Sequence, residues 1–310
     1  MQRLLDAGAL ILGKANMQEL AFGPTSNNAA FGPVHNPYDR SRIPGGSSGG
    51  TGAAVAARLA PAGLGTDTGG SVRVPASLSG VVGFRPTTLR WPQEGIVPIS
   101  HTRDTAAPLA RCVADCVLLD GIVAGGAMNL SAISLKGLRL GVPRGYSWEN
   151  LDAEVETILA DTLAQHAAAG ILLVEGAMDD VAALDTAAGF PIALYEFVTD
   201  FNRYHAGHAT GLDFAGVAAQ VKKVDGLLGA DAVPEPVYRE ALIKHRPALQ
   251  DAYRRYFRSR ASPRWCFRPR RWRRRRSAKT RRSFSTADRR RRFRPTFAIS
   301  GRAAPPDFPA

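Results

Sequence analysis

The sequence contains few of the residues that bind metal ions or form disulfide bridges. Its three cysteines follow no zinc-binding pattern and cannot supply a disulfide framework. The histidines are scattered, and only His205 and His208 lie three positions apart, with no cysteine or carboxylate pattern beside them. We therefore expect no metal site and no cofactor.

Targeting signals and long hydrophobic runs are also missing. The N-terminal stretch MQRLLDAGALILGKANM has a short apolar run but no small-residue cleavage site, so it does not predict a signal peptide. No segment approaches the roughly 20 apolar residues of a membrane span. We therefore expect a cytoplasmic chain without a membrane partner, and the sequence leaves its oligomeric state open.

Acidic residues are scarce at one end of the chain only. Residues 260–310 contain 18 of the 40 basic residues and two of the 27 acidic ones. The preceding residues have a net charge of −3, so the overall charge of +13 comes entirely from the last segment. This change predicts a globular domain over residues 1–258 and an arginine-rich tail over residues 259–310.

Three interpretations of the tail stay open. An arginine-rich arm could bind nucleic acid, because each phosphate contact releases counterions. A segment that cannot bury an apolar face could equally be a disordered, solvated tail. The third interpretation is a shifted reading frame, since a GC-rich gene read out of frame yields text rich in arginine, proline, serine and alanine.

Strand and helix patterns alternate along the rest of the chain, which favours an α/β fold. Strands are predicted at 9–12, 62–65, 138–142 and 171–175. Helices are predicted at 52–59, 106–123, 151–168 and over most of 181–257.

Two glycine–serine turns stand out, GGSSGG at 45–50 and TDTGGS at 66–71. The first is not a Walker loop, because no lysine follows its last glycine. A nucleophile elbow requires a strand entering the turn, and the preceding PYDRSRIP is polar and bounded by proline, which disfavours an elbow and a histidine-dependent esterase. Serine chemistry of another kind remains: a second serine can relay a proton to a neutral lysine, while glycine N–H groups stabilise an oxyanion.

Three stretches carry a resemblance to a known family. They are GKANMQELAFG (13–23), FGPVHNPYDRSRIPGGSSGG (31–50) and AGLGTDTGGSVRVPASLSGVVGFRPT (62–87). This text resembles the amidase signature family, which implies a mixed β-sheet core sandwiched by helices.

The resemblance also implies roles for individual residues. Ser71 matches the acyl-enzyme nucleophile, and Ser47, 24 residues earlier, matches a relay serine whose peptide bond is cis. Ser48 is expected to support the relay by hydrogen bonding. The oxyanion donors would be the N–H groups of Thr68, Gly69, Gly70 and Ser71.

Asp67 and Arg73 flank the nucleophile with opposite charges. We interpret them as a pair that holds the turn rather than as catalytic groups.

The family's third catalytic member is a lysine in a V-K-D-N type segment, whose matching position would fall before Met1. Lys14 is the only lysine in the first hundred residues, and it matches the separate G-K-x-N-M segment instead. We therefore expect a fold that is incomplete at both ends and hydrolyses amides poorly.

The function implied is hydrolysis of a linear carboxamide, such as an aryl or arylacetamide, to carboxylate and ammonia. Two alternatives stay open, a glutaminase-type amidotransferase subunit and a non-catalytic remnant whose basic tail binds nucleic acid. Five aromatic side chains could line an acyl pocket or form helix core: Phe190, Tyr195, Phe197, Phe201 and Tyr204.

Overall fold

The computed structural model describes residues 1–126, 132–145, 148–221 and 233–259, together with the backbone of 264–265. The helices are α1 (Gln2–Asp6), α2 (Gly49–Ala56), α3 (Arg73–Ser79), α4 (Val113–Ala124), α5 (Ala153–Ala168), α6 (Val181–Gly207), α7 (Phe214–Ala218), α8 (Glu235–Glu240) and α9 (Arg246–Ser259). A 3-10 turn spans Glu19–Ala21, and a π-helical turn, Ala241–His245, joins α8 to α9.

Helices and strands alternate, which confirms the α/β class. The strands are β1 (Asn27–Asn28), β2 (Gly32–Pro33), β3 (Ala62–Thr66), β4 (Val82–Gly83), β5 (Ala106–Ala110), β6 (Arg139–Arg144), β7 (Leu172–Ala177) and β8 (Arg264–Trp265). One sheet is antiparallel with the order β3-β5-β4, a second is parallel with the order β7-β6-β8, and β1 and β2 form a two-stranded ribbon.

The prediction of a helix over residues 106–123 is wrong in its first part. Residues 106–110 form β5, the central strand of the antiparallel sheet, and the helix α4 begins only at Val113. Ala107 and Leu109 are completely buried, and β5 pairs with a strand on each side. Burial and pairing on both edges outweigh the helix preference of alanine and leucine, which is only a weak bias.

The predicted strand at residues 9–12 pairs with no other strand in the described part of the chain. This stretch is extended and exposed instead, with Leu10 at 87% and Leu12 at 73% exposure. An apolar segment this exposed presents unpaired backbone groups, as a sheet edge does.

The antiparallel sheet positions the glycine–serine turns. Val72 and Ala76, at the start of α3, pack on Ala107 and Leu109 of β5. The second turn, residues 67–72, therefore lies between the end of β3 and a helix fixed on the same sheet. The first turn enters α2, which contacts both β3 and α3.

Helix α6 is long and apolar enough, by length and composition alone, to cross a membrane. Its packing indicates a core helix instead. Phe197 and Phe201 are buried against Ile99 and Phe214, and 39% of its apolar stretch is buried. The same helix buries the carboxylate of Glu196, which hydrogen-bonds to a neighbouring loop.

The predicted division at residue 258 stays a prediction. Helix α9 ends at Ser259, and nearly all of the tail lies outside the described residues.

Candidate active site

The first turn places Ser47 in the interior. The peptide bond between Gly46 and Ser47 is cis, as the resemblance implies. Ser47 is fully buried, and its Oγ has no hydrogen-bond partner among the residues that the structure describes. Since buried hydroxyls in folded proteins are nearly always paired, an unpaired one calls for an explanation, and a catalytic role is one.

Glycine is required in this turn by the closeness of neighbouring backbone. A Cβ on Gly46 would lie 2.8 Å from the carbonyl oxygen of Gly23, and one on Gly50 would lie 2.0 Å from that of Asn16. Both distances are too short for any side chain. The turn therefore fits tightly against residues 16–26.

The second turn brings Ser71 next to the first. The N–H of Ser48 donates to the carbonyl oxygen of Ser71 at 3.1 Å. Ser71 is half-buried, and Gly69 beside it is exposed, with open space where its Cβ would be. The two serines predicted to work together thus lie on directly bonded turns, one of which opens to solvent.

The side chain of Ser48 hydrogen-bonds to the end of β3. Its Oγ accepts a hydrogen bond from the N–H of Thr66 at 3.2 Å and lies 3.4 Å from the carbonyl oxygen of that residue. The side chain therefore fastens the first turn to β3, while the backbone N–H of Ser48 bonds to Ser71. The predicted support of the relay by Ser48 stays a prediction, and the Ser47 hydroxyl is not among its hydrogen-bond partners.

Asp67 organises the second turn from inside. Its buried carboxylate pairs with Arg73, whose Nε and Nη2 lie 3.0 and 2.9 Å away. It also accepts the N–H groups of Gly70 at 2.8 Å and Val72 at 3.2 Å. These contacts hold the turn around Ser71, in agreement with the structural role predicted for this pair.

A second arginine, Arg85, was not singled out from the sequence. Its Nη1 lies 2.9 Å from Asp67 Oδ1, and its Nη2 donates to the carbonyl oxygen of Arg103 at 2.8 Å. Burial by itself would raise the pKa of the Asp67 carboxyl, but Arg73 and Arg85 outweigh it and hold this pKa well below its usual range. Arg85 lies within the FRPT sequence that carries the family resemblance, but the sequence does not indicate that it pairs with Asp67.

The oxyanion donors require one correction. The N–H of Gly70 donates to Asp67 and is already occupied. No hydrogen bond within the described residues uses the N–H groups of Thr68, Gly69 or Ser71. Three of the four predicted donors are thus free to bind an oxyanion.

The Thr68 end of this turn is held by the loop 99–105. The hydroxyl of Thr68 donates to Asp104, whose other oxygen accepts the N–H groups of Ile99 and Ser100 at 2.7 and 2.9 Å. Burial raises the pKa of the Asp104 carboxyl against these hydrogen bonds. Asp104 therefore links the turn at Ser71 to the loop that contacts α6.

The loop 99–105 docks on two buried carboxylates of α6. Thr102 Oγ1 donates to Glu196 at 2.9 Å, and the N–H of His101 donates to Asp200 at 2.8 Å. His101, Glu196 and Asp200 lie close enough together to bind a metal ion. We assign them to docking, because every oxygen of both carboxylates already accepts a hydrogen bond or an ion pair.

The structure places two of the five aromatic residues of α6 in the buried core. Phe197 and Phe201 belong to the buried core, with Phe22 packed edge-on against Phe197. Tyr195 is only half-buried and stacks on Tyr238 at 4.1 Å between ring centroids. The core interpretation is thus correct for the two buried phenylalanines.

The remaining candidates are Lys14, His205 and His208. Lys14 is exposed. His205 hydrogen-bonds to Thr210, and His208 to the carbonyl oxygen of Tyr204, so each histidine has its own local partner.

The structure thus brings two glycine–serine turns together on an α/β frame, and a comparison with protein families shows which family the chain belongs to. The chain belongs to the amidase family, whose model matches residues 1–273.

Individual relatives have names that state a substrate. The chain is 45% identical over 263 residues to an indoleacetamide hydrolase of Agrobacterium vitis, covering 83% of this chain and 56% of that protein. It is 42% identical over 230 residues to a mandelamide hydrolase of Pseudomonas putida, covering 73% and 45%. A solved amidase structure superimposes with a TM-score of 0.70 at 34% identity, covering 83% and 56%. The chain thus spans about half the length of the curated relatives that it matches.

Proposed function

We propose that this protein hydrolyses a linear carboxamide to a carboxylate and ammonia, with Ser71 as nucleophile and Ser47 as proton relay. Two observations together carry the proposal. The buried Ser47 hydroxyl has no hydrogen-bond partner among the described residues, and the N–H of the adjacent Ser48 donates to the carbonyl oxygen of Ser71. An aryl or arylacetamide is the proposed substrate class, in keeping with the names of the relatives.

The proposed reaction has two halves. The Ser71 oxygen attacks the amide carbon while its proton passes to the Ser47 oxygen, and the N–H groups of Thr68, Gly69 and Ser71 stabilise the negative charge on the carbonyl oxygen. The C–N bond breaks as the nitrogen takes up the proton that passed to Ser47 and leaves as ammonia. Water then attacks the ester carbon, the ester bond breaks as the Ser71 oxygen regains a proton from that water, and the acid leaves as the carboxylate.

Ser47 must pass its proton to a base for this relay to be fast. The family resemblance implies a lysine for this role, and no side chain that the structure describes hydrogen-bonds to the Ser47 hydroxyl. A general base contributes about 10²–10⁴ in rate. A polypeptide of these 310 residues is therefore expected to turn over slowly.

Ammonia release from indole-3-acetamide and mandelamide tests the proposal. Ser71→Ala should abolish turnover and Ser47→Ala should lower it, while Ser77→Ala, an exposed position on α3, serves as the matched control. If Ser71→Ala kept its activity and Ser47→Ala lost it, the site would be a nucleophile elbow and the proposal would fail. Robust turnover by the unaltered chain would identify another base, with Lys14 the first to substitute.

The amidotransferase alternative has less support from the relatives, and it predicts ammonia release from glutamine and co-purification with a partner. Binding of nucleic acid through residues 259–310 is a separate proposal that rests on their charge. A salt-dependent gel shift that disappears on deletion of 259–310 would support it.

A further inference from the structure

Ser26 is a buried side chain that neither the motifs nor the relatives assign to the site. It lies in a short stretch, residues 24–30, between two of the segments that carry the family resemblance. It is completely buried and has a positive φ of 52°, a conformation that side chains other than glycine rarely adopt.

The Ser26 hydroxyl spans the segment that contains the relay serine. Its Oγ donates to the carbonyl oxygen of Ser47 at 3.1 Å and accepts the N–H of Gly49 at 2.9 Å. One hydroxyl thus uses its donor and an acceptor position on two groups of the same turn. The N–H of Gln18 adds a second donor to the Ser47 carbonyl at 3.0 Å.

The first turn leaves space for this hydroxyl. A Cβ on Gly49 would lie 2.1 Å from Ser26 Oγ, so Gly49 leaves the space that the hydroxyl occupies. On the other side of the cis bond, a Cβ on Gly46 would lie 2.9 Å from the backbone nitrogen of Ser26. Ser26 therefore touches the turn both before and after Ser47.

We infer that Ser26 is a positioning residue for the relay: its hydroxyl fixes the Ser47–Gly49 backbone, and with it the unpaired Ser47 hydroxyl, beside the Ser71 turn. This inference rests on the proposed function, because it assigns Ser26 to the proton relay described there. Ser26 itself does not contact the reacting groups. A displacement of about 1 Å in such a relay can lower a rate about 100-fold.

Ser26→Gly separates positioning from simple structural support. Glycine suits the positive φ better than serine, which offsets part of the cost of losing two buried hydrogen bonds, so this variant should still unfold cooperatively in urea. Ser79→Ala is the matched control, since Ser79 is equally buried. Its hydroxyl donates to the carbonyl oxygen of Pro44 at 3.1 Å, immediately before the same turn.

The measurement is covalent labelling of Ser71 by phenylmethanesulfonyl fluoride, followed by mass spectrometry, with indole-3-acetamide hydrolysis beside it. We expect the labelling rate to fall at least about 10-fold in Ser26→Gly and to stay within about two-fold in Ser79→Ala. Should Ser26→Gly fail to fold, Ser26→Cys keeps a polar side chain of the same branching but weakens both hydrogen bonds and brings in a larger sulfur atom, and it should label more slowly than the unaltered protein.

Two results would contradict the inference, and they differ. Equal labelling of the unaltered chain and the folded Ser26 variant would remove the role of Ser26 and leave the proposed function in place. An unaltered chain that neither labels at Ser71 nor hydrolyses the amide would remove the proposed function, and the role of Ser26 with it.

Discussion

Asp67 is the residue on which two buried guanidinium groups depend. Arg73 and Arg85 both lie within 3 Å of its carboxylate, and their side chains are only 11% and 16% exposed. Without a counter-ion, these two positive charges would face each other in a region that water hardly reaches. Breaking such an arrangement is costly because the partner charges remain buried.

Asp67→Asn should therefore destabilise the protein by about 3–5 kcal/mol. The free energy of unfolding in urea, followed by circular dichroism, measures this loss. Asp39→Asn removes an exposed partner of Arg42 and should leave the urea midpoint unchanged. A small effect of Asp67→Asn would mean that the turn at Ser71 does not depend on this ion pair.

Asp185 of α6 predicts a pH dependence of stability. Both of its carboxylate oxygens are buried without a hydrogen bond among the described residues, and burial raises its pKa from the ordinary value of 3.8 to about 8, against the attraction of Arg103. Between about pH 4 and pH 8 the folded protein keeps a proton that the unfolded chain releases. Stability is therefore lost as the pH rises through this window, and the loss is complete above pH 8.

Asp185→Asn cannot ionise and should escape this loss. Its unfolding free energy, relative to the unaltered protein, should rise from pH 4 to pH 8 and gain about 1 kcal/mol or more. Asp161→Asn, at an exposed position on α5, is the control and should show no such trend. A flat difference across the window would show that Asp185 is already ionised in the folded protein.

At the scale of residues, the sequence predicts members of the site better than their bonds. The two glycine–serine turns and the Asp67–Arg73 pair come from contiguous text. The hydrogen-bond partner of the Ser48 side chain, by contrast, depends on where β3 lies relative to the turn. The local sequence does not specify that position. Ser26 and Arg85 were missed for the same reason, since their partners lie 21 and 18 residues away.

At the scale of elements, α6 and the loop 99–105 connect the helical part of the chain to the turn at Ser71. Glu196 accepts hydrogen bonds from Ser100, Thr102 and Tyr238, while Asp104 at the other end of the loop accepts from Thr68. The loop is thus fixed at both ends by buried carboxylates. A change on α6 can therefore reach the turn at Ser71 through this loop.

Glu196→Gln should weaken this docking. The glutamine NH₂ group cannot accept from the Thr102 N–H or from the hydroxyls, so we expect a loss of about 1–3 kcal/mol in unfolding free energy. Amide hydrogen exchange should also quicken in residues 99–105. Glu235→Gln, on the exposed surface of α8, is the control, and unchanged exchange in Glu196→Gln would contradict the docking role.

The prediction of elements fails where tertiary pairing decides. Strand β5 has the composition of a helix, yet it lies between β3 and β4 with its side chains buried. Residues 9–12 have the composition of a buried strand, yet they are exposed. In both cases the identity of the neighbour decides the structure, and a local pattern cannot supply that information.

At the scale of the whole molecule, exposed apolar surface at residues 9–12 should cause self-association. Leu10→Lys combined with Leu12→Lys places charge on an unpaired, strand-like segment and should lower the apparent mass in sedimentation experiments at high protein concentration. Leu118→Lys, at an exposed position on α4, is the control. An unaltered chain that stays monomeric would show that this segment attracts no partner strand.

The tight fit of residues 45–50 against residues 16–26 affects how variants of this protein should be interpreted. In a library randomised over 45–50, glycine at 46 and 50 should be recovered whether clones are screened for turnover or only for folding. Invariance at those two positions would reflect the close fit of the two backbone segments and not the reaction. Selection for chemistry would be visible at Ser47, and randomising position 26 as well would extend the same comparison to Ser26.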